Sequence, residues 1–159
     1  MAIININQVM THLLPGQVIA GLDLGTKTIG IAVSDMGLTL SNPRPVIQRK
    51  KMMEDAHTLI KVFDRENVGV IIIGLPLNMN GSCGPRAQAT KTFVSNMKAY
   101  TKIPFVLWDE RLSTIAAERS LLEMDVSRVK RAAKIDSAAA AFILQGALDR
   151  IQSLHHMEG

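Results

Sequence analysis

The sequence predicts a layered α/β domain, because short β-branched runs and helical periodicities follow one another in the order β-β-β-α-β-α-β-α-α. Residues 68–74 (Val-Gly-Val-Ile-Ile-Ile-Gly) form an almost unbroken apolar run, as expected of a central parallel strand covered on both faces. The chain has 159 residues, 47% hydrophobic and 20% charged, which is enough for one domain with a proper core. Neither a repeat nor a low-complexity stretch divides it. The expected organisation is an N-terminal extension at 1–17, one folded domain at 18–151 and a flexible tail at 152–159.

Residues 1–17 show no clear periodicity and close on Pro15-Gly16, a turn signal. Residues 18–24 and 28–34 are two apolar runs split by Gly25-Thr26-Lys27, the pattern of a hairpin. Residues 37–47 contain Asn42-Pro43-Arg44-Pro45, so a strand there belongs at a sheet edge. Residues 51–67 are helical, with Met52, Ala56, Leu59, Ile60 and Phe63 on one face. After the strand at 68–74, residues 74–85 form a turn-rich loop at a strand's carboxyl end, where α/β proteins usually place ligands. A helix at 86–100 points Thr90, Phe93, Val94 and Met97 inward, and a strand at 103–108 runs into Asp109-Glu110-Arg111-Leu112-Ser113-Thr114. Ser113 or Thr114 can cap a helix at 115–122. Residues 125–134 read as a basic connector, and a final helix starts at 135, its alanines 138–141 permitting close packing.

Composition narrows the function. The chain carries 18 Lys and Arg against 14 Asp and Glu, a net charge of +4 that suits a nucleic-acid partner without requiring one. The one cysteine, Cys83, forms no internal disulfide and fits a reducing compartment. The first 26 residues lack Lys and Arg, so the charged start of a secretory signal is missing. The apolar run at 68–77 is too short to span a bilayer and contains Pro76. A soluble cytoplasmic protein is expected.

Acids after strand ends are the informative residues. Asp23 closes an apolar run, where a carboxylate is costly unless metal, hydrogen bonds or substrate engage it. Its context makes chemistry and structure equal readings. Asp109 and Glu110 follow the last strand, and Asp136 opens the last helix. Singly, Glu110 beside Arg111 reads as a solvated pair and Asp136 as a helix-start acid favoured by the dipole. Together, carboxylates without nearby histidine suit Mg²⁺ or Mn²⁺. A pair of such ions activates water and stabilises a leaving oxygen in phosphodiester cleavage. Basic residues cluster at Arg49-Lys50-Lys51 and at Arg128, Lys130, Arg131 and Lys134; the latter abut Asp136 and would guide a phosphate backbone towards the acids. Aromatics make up only 4%, so phosphate contacts and shape should outweigh base stacking. Gly25-Thr26-Lys27 lacks the full phosphate-loop pattern.

Four stretches together resemble the YqgF (RuvX) family of bacterial nucleases in the ribonuclease H-like superfamily: Gly21-Leu22-Asp23-Leu24-Gly25-Thr26-Lys27-Thr28-Ile29-Gly30-Ile31-Ala32, Ile73-Gly74-Leu75-Pro76-Leu77-Asn78-Met79-Asn80-Gly81, Asp109-Glu110-Arg111-Leu112-Ser113-Thr114 and Lys134-Ile135-Asp136-Ser137-Ala138-Ala139-Ala140-Ala141. The resemblance implies a three-layer α/β/α fold with a mixed sheet in strand order 3-2-1-4-5. It implies a metal-dependent nuclease processing the 5′ end of precursor small-subunit ribosomal RNA, with branched-DNA resolution as the close competitor. Asp23, Glu110 and Asp136 then become ligands to two Mg²⁺ or Mn²⁺ ions, and Lys27 and Arg111 phosphate contacts. Resolution of a junction would call for a homodimer, which RNA trimming does not require, so monomer and homodimer both stay open. Rival readings are a non-catalytic RNA-processing or transcription accessory factor and half of an actin-like phosphotransferase. The last needs two lobes, and this chain supplies one.

Two departures stand out. The extension before Val18 is longer than the family usually shows. Resolvase relatives also place an acid on the fourth strand, where this chain has Gly74. Glu110 would have to reach Asp23 across two strand spacings, roughly 10 Å at the backbone, and Asp109 remains a rival ligand.

Overall fold

The computed structural model describes residues 3–112 and 128–158, the side chains of 112, 128–137 and 155–158 excepted. After a 3-10 turn (Ile6–Gln8) and the four-residue α1 (Val9–His12), the chain forms β1 (Val18–Leu24), β2 (Thr28–Ser34) and β3 (Ser41–Gln48). It continues through α2 (Met52–Glu66), β4 (Val68–Leu75), α3 (Pro85–Met97), β5 (Phe105–Asp109), a 3-10 turn (Glu110–Leu112) and α4 (Arg128–Glu158). The strands form one five-stranded sheet in the order β3-β2-β1-β4-β5. The meander β1-β2-β3 is antiparallel, while β1-β4 and β4-β5 are parallel. The mixed sheet and its expected order are thus observed.

Strand alternation divides the sheet's apolar residues between two layers. On one face Leu22, Ile29, Ile71 and Ile73 pack with Ala56, Leu59 and Phe63 of α2 and Phe93, Val94 and Met97 of α3. On the other, Ile19, Ala32, Val70, Ile72 and Trp108 pack with Ala140, Ile143, Leu144 and Ala147 of α4. β4 is buried along its whole length, as a central parallel strand should be. β3 lies at the edge, where Pro43 and Pro45 leave no inner ladder bond unmade. Gly21 is where α4 crosses closest: a Cβ there would come within 2.7 Å of Leu144 Cβ and 3.0 Å of the Ala140 carbonyl oxygen. The small residues Ala139 and Ala140, both fully buried, permit that approach.

The structure departs from the sequence reading in several places. β3 begins at Ser41 because residues 35–40 form a turn, in which the Asp35 carboxylate accepts from the Thr39 and Leu40 amides and the Thr39 hydroxyl. Those donors hold the Asp35 carboxyl below its ordinary range, the Thr39 amide foremost. The last helix begins at Arg128 and not at residue 135. Its first residues, Arg128-Val129-Lys130-Arg131-Ala132-Ala133-Lys134, contain no Gly or Pro and several strong helix formers, so charge does not make them a connector. At the other end the helix runs to Glu158, past the point where fraying was expected. There Gln152 donates to the Leu38 carbonyl at 3.0 Å. The expected helix at 115–122 lies outside the described residues.

The N-terminal extension packs on the sheet. Ile3 bridges Phe105 in parallel, the Ile4 amide donates to the Phe105 carbonyl at 2.9 Å, and Ile4 and Val9 are buried with the α4 layer. It thereby covers part of the β5 edge. Among the described residues, no helix is long and apolar enough to cross a membrane.

Candidate active site

β1, β4 and β5 are parallel, so their carboxyl ends open at one end of the sheet, where α/β folds accept ligands. Asp23 stands near the end of β1 and is 5% exposed. It lies two residues beyond Gly21 and so faces α4. Its partner on β2 is Gly30. On β4 the register one residue beyond the Leu22–Ile73 pair sets it beside Gly74. The buried carboxylate therefore has glycine on both sides.

Gly74 pairs in turn with Trp108 on β5. Glu110, two residues past Trp108, starts the 3-10 turn that ends the strand. A Cβ at Gly74 would lie 3.2 Å from both Cγ and Cδ of Glu110. The Glu110 side chain thus reaches back over β4 and sets its carboxyl carbon against the strand next to Asp23. Of the two strand spacings between β5 and β1, the direction of this one side chain covers the first.

Asp109 is engaged differently. Its Oδ1 accepts from the Arg111 amide and from Nε, both at 3.0 Å, and its Oδ2 accepts from Nη2 at 2.7 Å. The Arg111 guanidinium holds the Asp109 carboxyl below its ordinary range, and Asp109 in turn raises Arg111. Nη1 of Arg111 donates to the Met79 carbonyl at 3.2 Å. Arg111 therefore fastens the loop after β4 to the end of β5. Its expected part as a phosphate contact must be met by whatever donors this leaves, and Asp109 is committed to Arg111.

Lys27 is exposed on the β1–β2 turn. Arg49 embraces that turn, its amide donating to the Lys27 carbonyl and its Nη1 to the Gly25 carbonyl, each at 2.8 Å. Arg86, at the start of α3, reaches the Leu24 carbonyl at 3.5 Å. None of the three cations forms an ion pair among the described residues. Arg86 escaped the sequence reading, although its place just after Pro85, where the β4 loop enters a helix, is a signal for it. The backbone of Asp136 belongs to α4, one turn before Ala140 and so about 6 Å of helix from the Gly21 crossing. The side chains of Asp136, Arg128, Lys130, Arg131 and Lys134 lie outside the described residues.

Among the described residues no group of three or more His, Cys, Asp or Glu side chains is placed to hold a metal ion. The pair Asp23 and Glu110 nevertheless fits one end of such a centre. Both supply oxygen alone, as hard divalent cations prefer, and the side chain that Gly74 lacks leaves room for Glu110 beside the Asp23 strand. A cavity of 590 Å³ between the extension, β5 and the end of α4 is lined by Asn5, Val106, Trp108 and Arg150, and by neither acid.

A mixed sheet in this order with helices on both faces, carrying acids at the carboxyl ends of its first and last strands, is a ribonuclease H-like fold. Two solved structures of Thermus thermophilus RuvC share it. One, bound to a Holliday junction substrate, has a TM-score of 0.54 at 11% identity, covering 90% of this chain and 96% of that one. The other has a TM-score of 0.55 at 13% identity, covering 87% and 98%. The RuvX family model, described as a Holliday junction resolvase, matches residues 17–150, and the chain belongs to that family. A relative from Bartonella quintana, named "Putative pre-16S rRNA nuclease", is 82% identical over all 159 residues, covering 100% of both chains. One of the same name from Brucella anthropi is 62% identical over 154 residues, covering 97% of this chain and 93% of its own.

Proposed function

We propose that this chain is a metal-dependent nuclease of the cytoplasm that cleaves phosphodiester bonds in precursor small-subunit ribosomal RNA. The observation that carries the reading is the Glu110 side chain lying against Gly74, the β4 neighbour of the buried Asp23, at the open end of three parallel strands. The names borne by relatives of 62–82% identity supply the substrate. Asp23, Glu110 and Asp136 would hold Mg²⁺ or Mn²⁺, which when bound supplies an activated water and support for the departing oxygen. The chain's other contribution is positioning. Lys27, Arg49 and Arg86 would draw the phosphate backbone along the β1–β2 turn, and the basic start of α4 would approach it from the Asp136 side. Products would carry a 5′-phosphate and a 3′-hydroxyl.

Branched DNA is the second reading, favoured by the family description and by the RuvC fold. It calls for a homodimer, while RNA trimming is open to a monomer. Incubating the purified protein with precursor RNA and with a four-way DNA junction, in Mn²⁺ or in EDTA, decides between them. The expected result is cleavage of the RNA in Mn²⁺, none in EDTA, and loss of cleavage in Asp23→Asn with the fold intact. Preferential cleavage of the junction would move the function to DNA. Metal-dependent cleavage that survives Asp23→Asn would remove the site assignment.

A further inference from the structure

Position 74 is the last inward position of β4 on the α4 face, following Val70 and Ile72, both fully buried there. Strand packing alone favours another β-branched residue at such a place, and glycine in a strand interior often marks a close approach by another group. Here two groups approach. A Cβ at Gly74 would come within 2.5 Å of Ile143 Cδ1 and within 3.2 Å of Glu110 Cγ and Cδ. The methyl is the far end of a flexible side chain and can turn aside. Glu110 has less room, because its backbone continues from the Leu75–Asp109 pair and Arg111 ties the next turn to Asp109.

We propose that Gly74 is a positioning residue for Glu110: its missing side chain makes the berth in which a carboxylate from the end of β5 lies over β4 beside Asp23. The proposal rests on reading Asp23 and Glu110 as metal-holding residues. A methyl group at position 74 would push the Glu110 carboxyl outward by a few tenths of an ångström. Divalent sites tolerate only about 0.2 Å in ligand distance, so affinity should register the shift.

The test is calorimetric titration of the full chain with Mn²⁺, and circular dichroism checks the fold of each variant. Gly74→Ala should weaken Mn²⁺ binding at least about tenfold, the size seen when a ligand's support is removed. Adding Ile143→Val, which deletes the clashing Cδ1, should restore any lost folding stability and leave the binding weak. In a Glu110→Ala background, Gly74→Ala should have no further effect on affinity. Normal Mn²⁺ binding by Gly74→Ala, recovery of binding with Ile143→Val, or an equal loss with and without Glu110 would each overturn the proposal. Weak binding by Glu110→Ala alongside normal binding by Gly74→Ala would remove this proposal and spare the metal-site reading. Normal binding by Glu110→Ala would remove both.

Discussion

Asp109 and Glu110 are neighbours in sequence with opposite uses, and strand alternation followed by a 3-10 turn separates them. Asp109 ends β5 and meets Arg111, whereas Glu110 starts the turn and folds back across Gly74. The Asp109–Arg111 pair makes a pH prediction. The carboxyl's folded pKa lies below its unfolded value, so the pair adds stability above the unfolded value, about 3.9 for Asp, and loses it as pH falls through the folded one. The side chains are 22% and 34% exposed, so the gain is small in energy and matters through what Arg111 holds. Below the ordinary carboxylate range Arg111 should leave Asp109 and loosen the loop at residues 78–82. NMR amide shifts of that loop should move on acidification, and Asp109→Asn should show the acid-form shifts already at neutral pH. Unchanged shifts in the variant would mean that Arg111 holds the loop without Asp109. Asp23 was legible in the sequence because an acid ending an apolar run is anomalous by itself. Glu110 read singly as a solvated pair with Arg111 and stood out only through the family resemblance, because its placement over β4 depends on a missing side chain 36 residues away on another strand.

At the scale of elements, periodicity located the hairpin and both middle helices well. β1 and β2 fall at the expected residues, α3 buries its expected face, and α2 buries Ala56, Leu59 and Phe63 as expected but also Asp55, expected off that face, whose carboxylate accepts from the Lys50 amide at 2.9 Å. Where charge competed with periodicity the reading slipped: the basic residues at 128–134 looked like a connector and are the first turns of α4. The β1–β2 turn carries the element-scale prediction. Arg49 and Arg86 both brace the chain just past Asp23, through the Gly25 and Leu24 carbonyls. If their remaining donors meet phosphate, replacing both with Gln should flatten the dependence of log affinity for RNA on log salt. The slope should fall by roughly 0.7–0.9 for each phosphate no longer neutralised, measured by filter binding across a salt series. An unchanged slope would place the phosphate path elsewhere.

For the whole molecule, the decisive property is that its single sheet has two differently served edges. β3 is closed by prolines, and the β5 edge is partly covered by the N-terminal extension. The extension could not be read beforehand, because a segment without periodicity shows its partner only when the sheet edge is in place. Between that extension and the site lies Trp108, 7% exposed under α4, with Gly146 close over its ring and its Nε1 meeting no hydrogen-bond partner among the described residues. It is the one tryptophan in the chain, beside a single tyrosine. The protein therefore carries its own optical probe, an indole in apolar surroundings two residues before Glu110. Its emission should lie to the blue of an exposed indole and shift red on unfolding. Paramagnetic Mn²⁺ should quench it and Mg²⁺ should not, and Asp23→Asn should remove the quenching without moving the emission maximum. Quenching that persists at the same Mn²⁺ concentration in Asp23→Asn would place the ion away from β1. Ion occupancy can thus be followed in native, unlabelled protein, by the light of one buried ring.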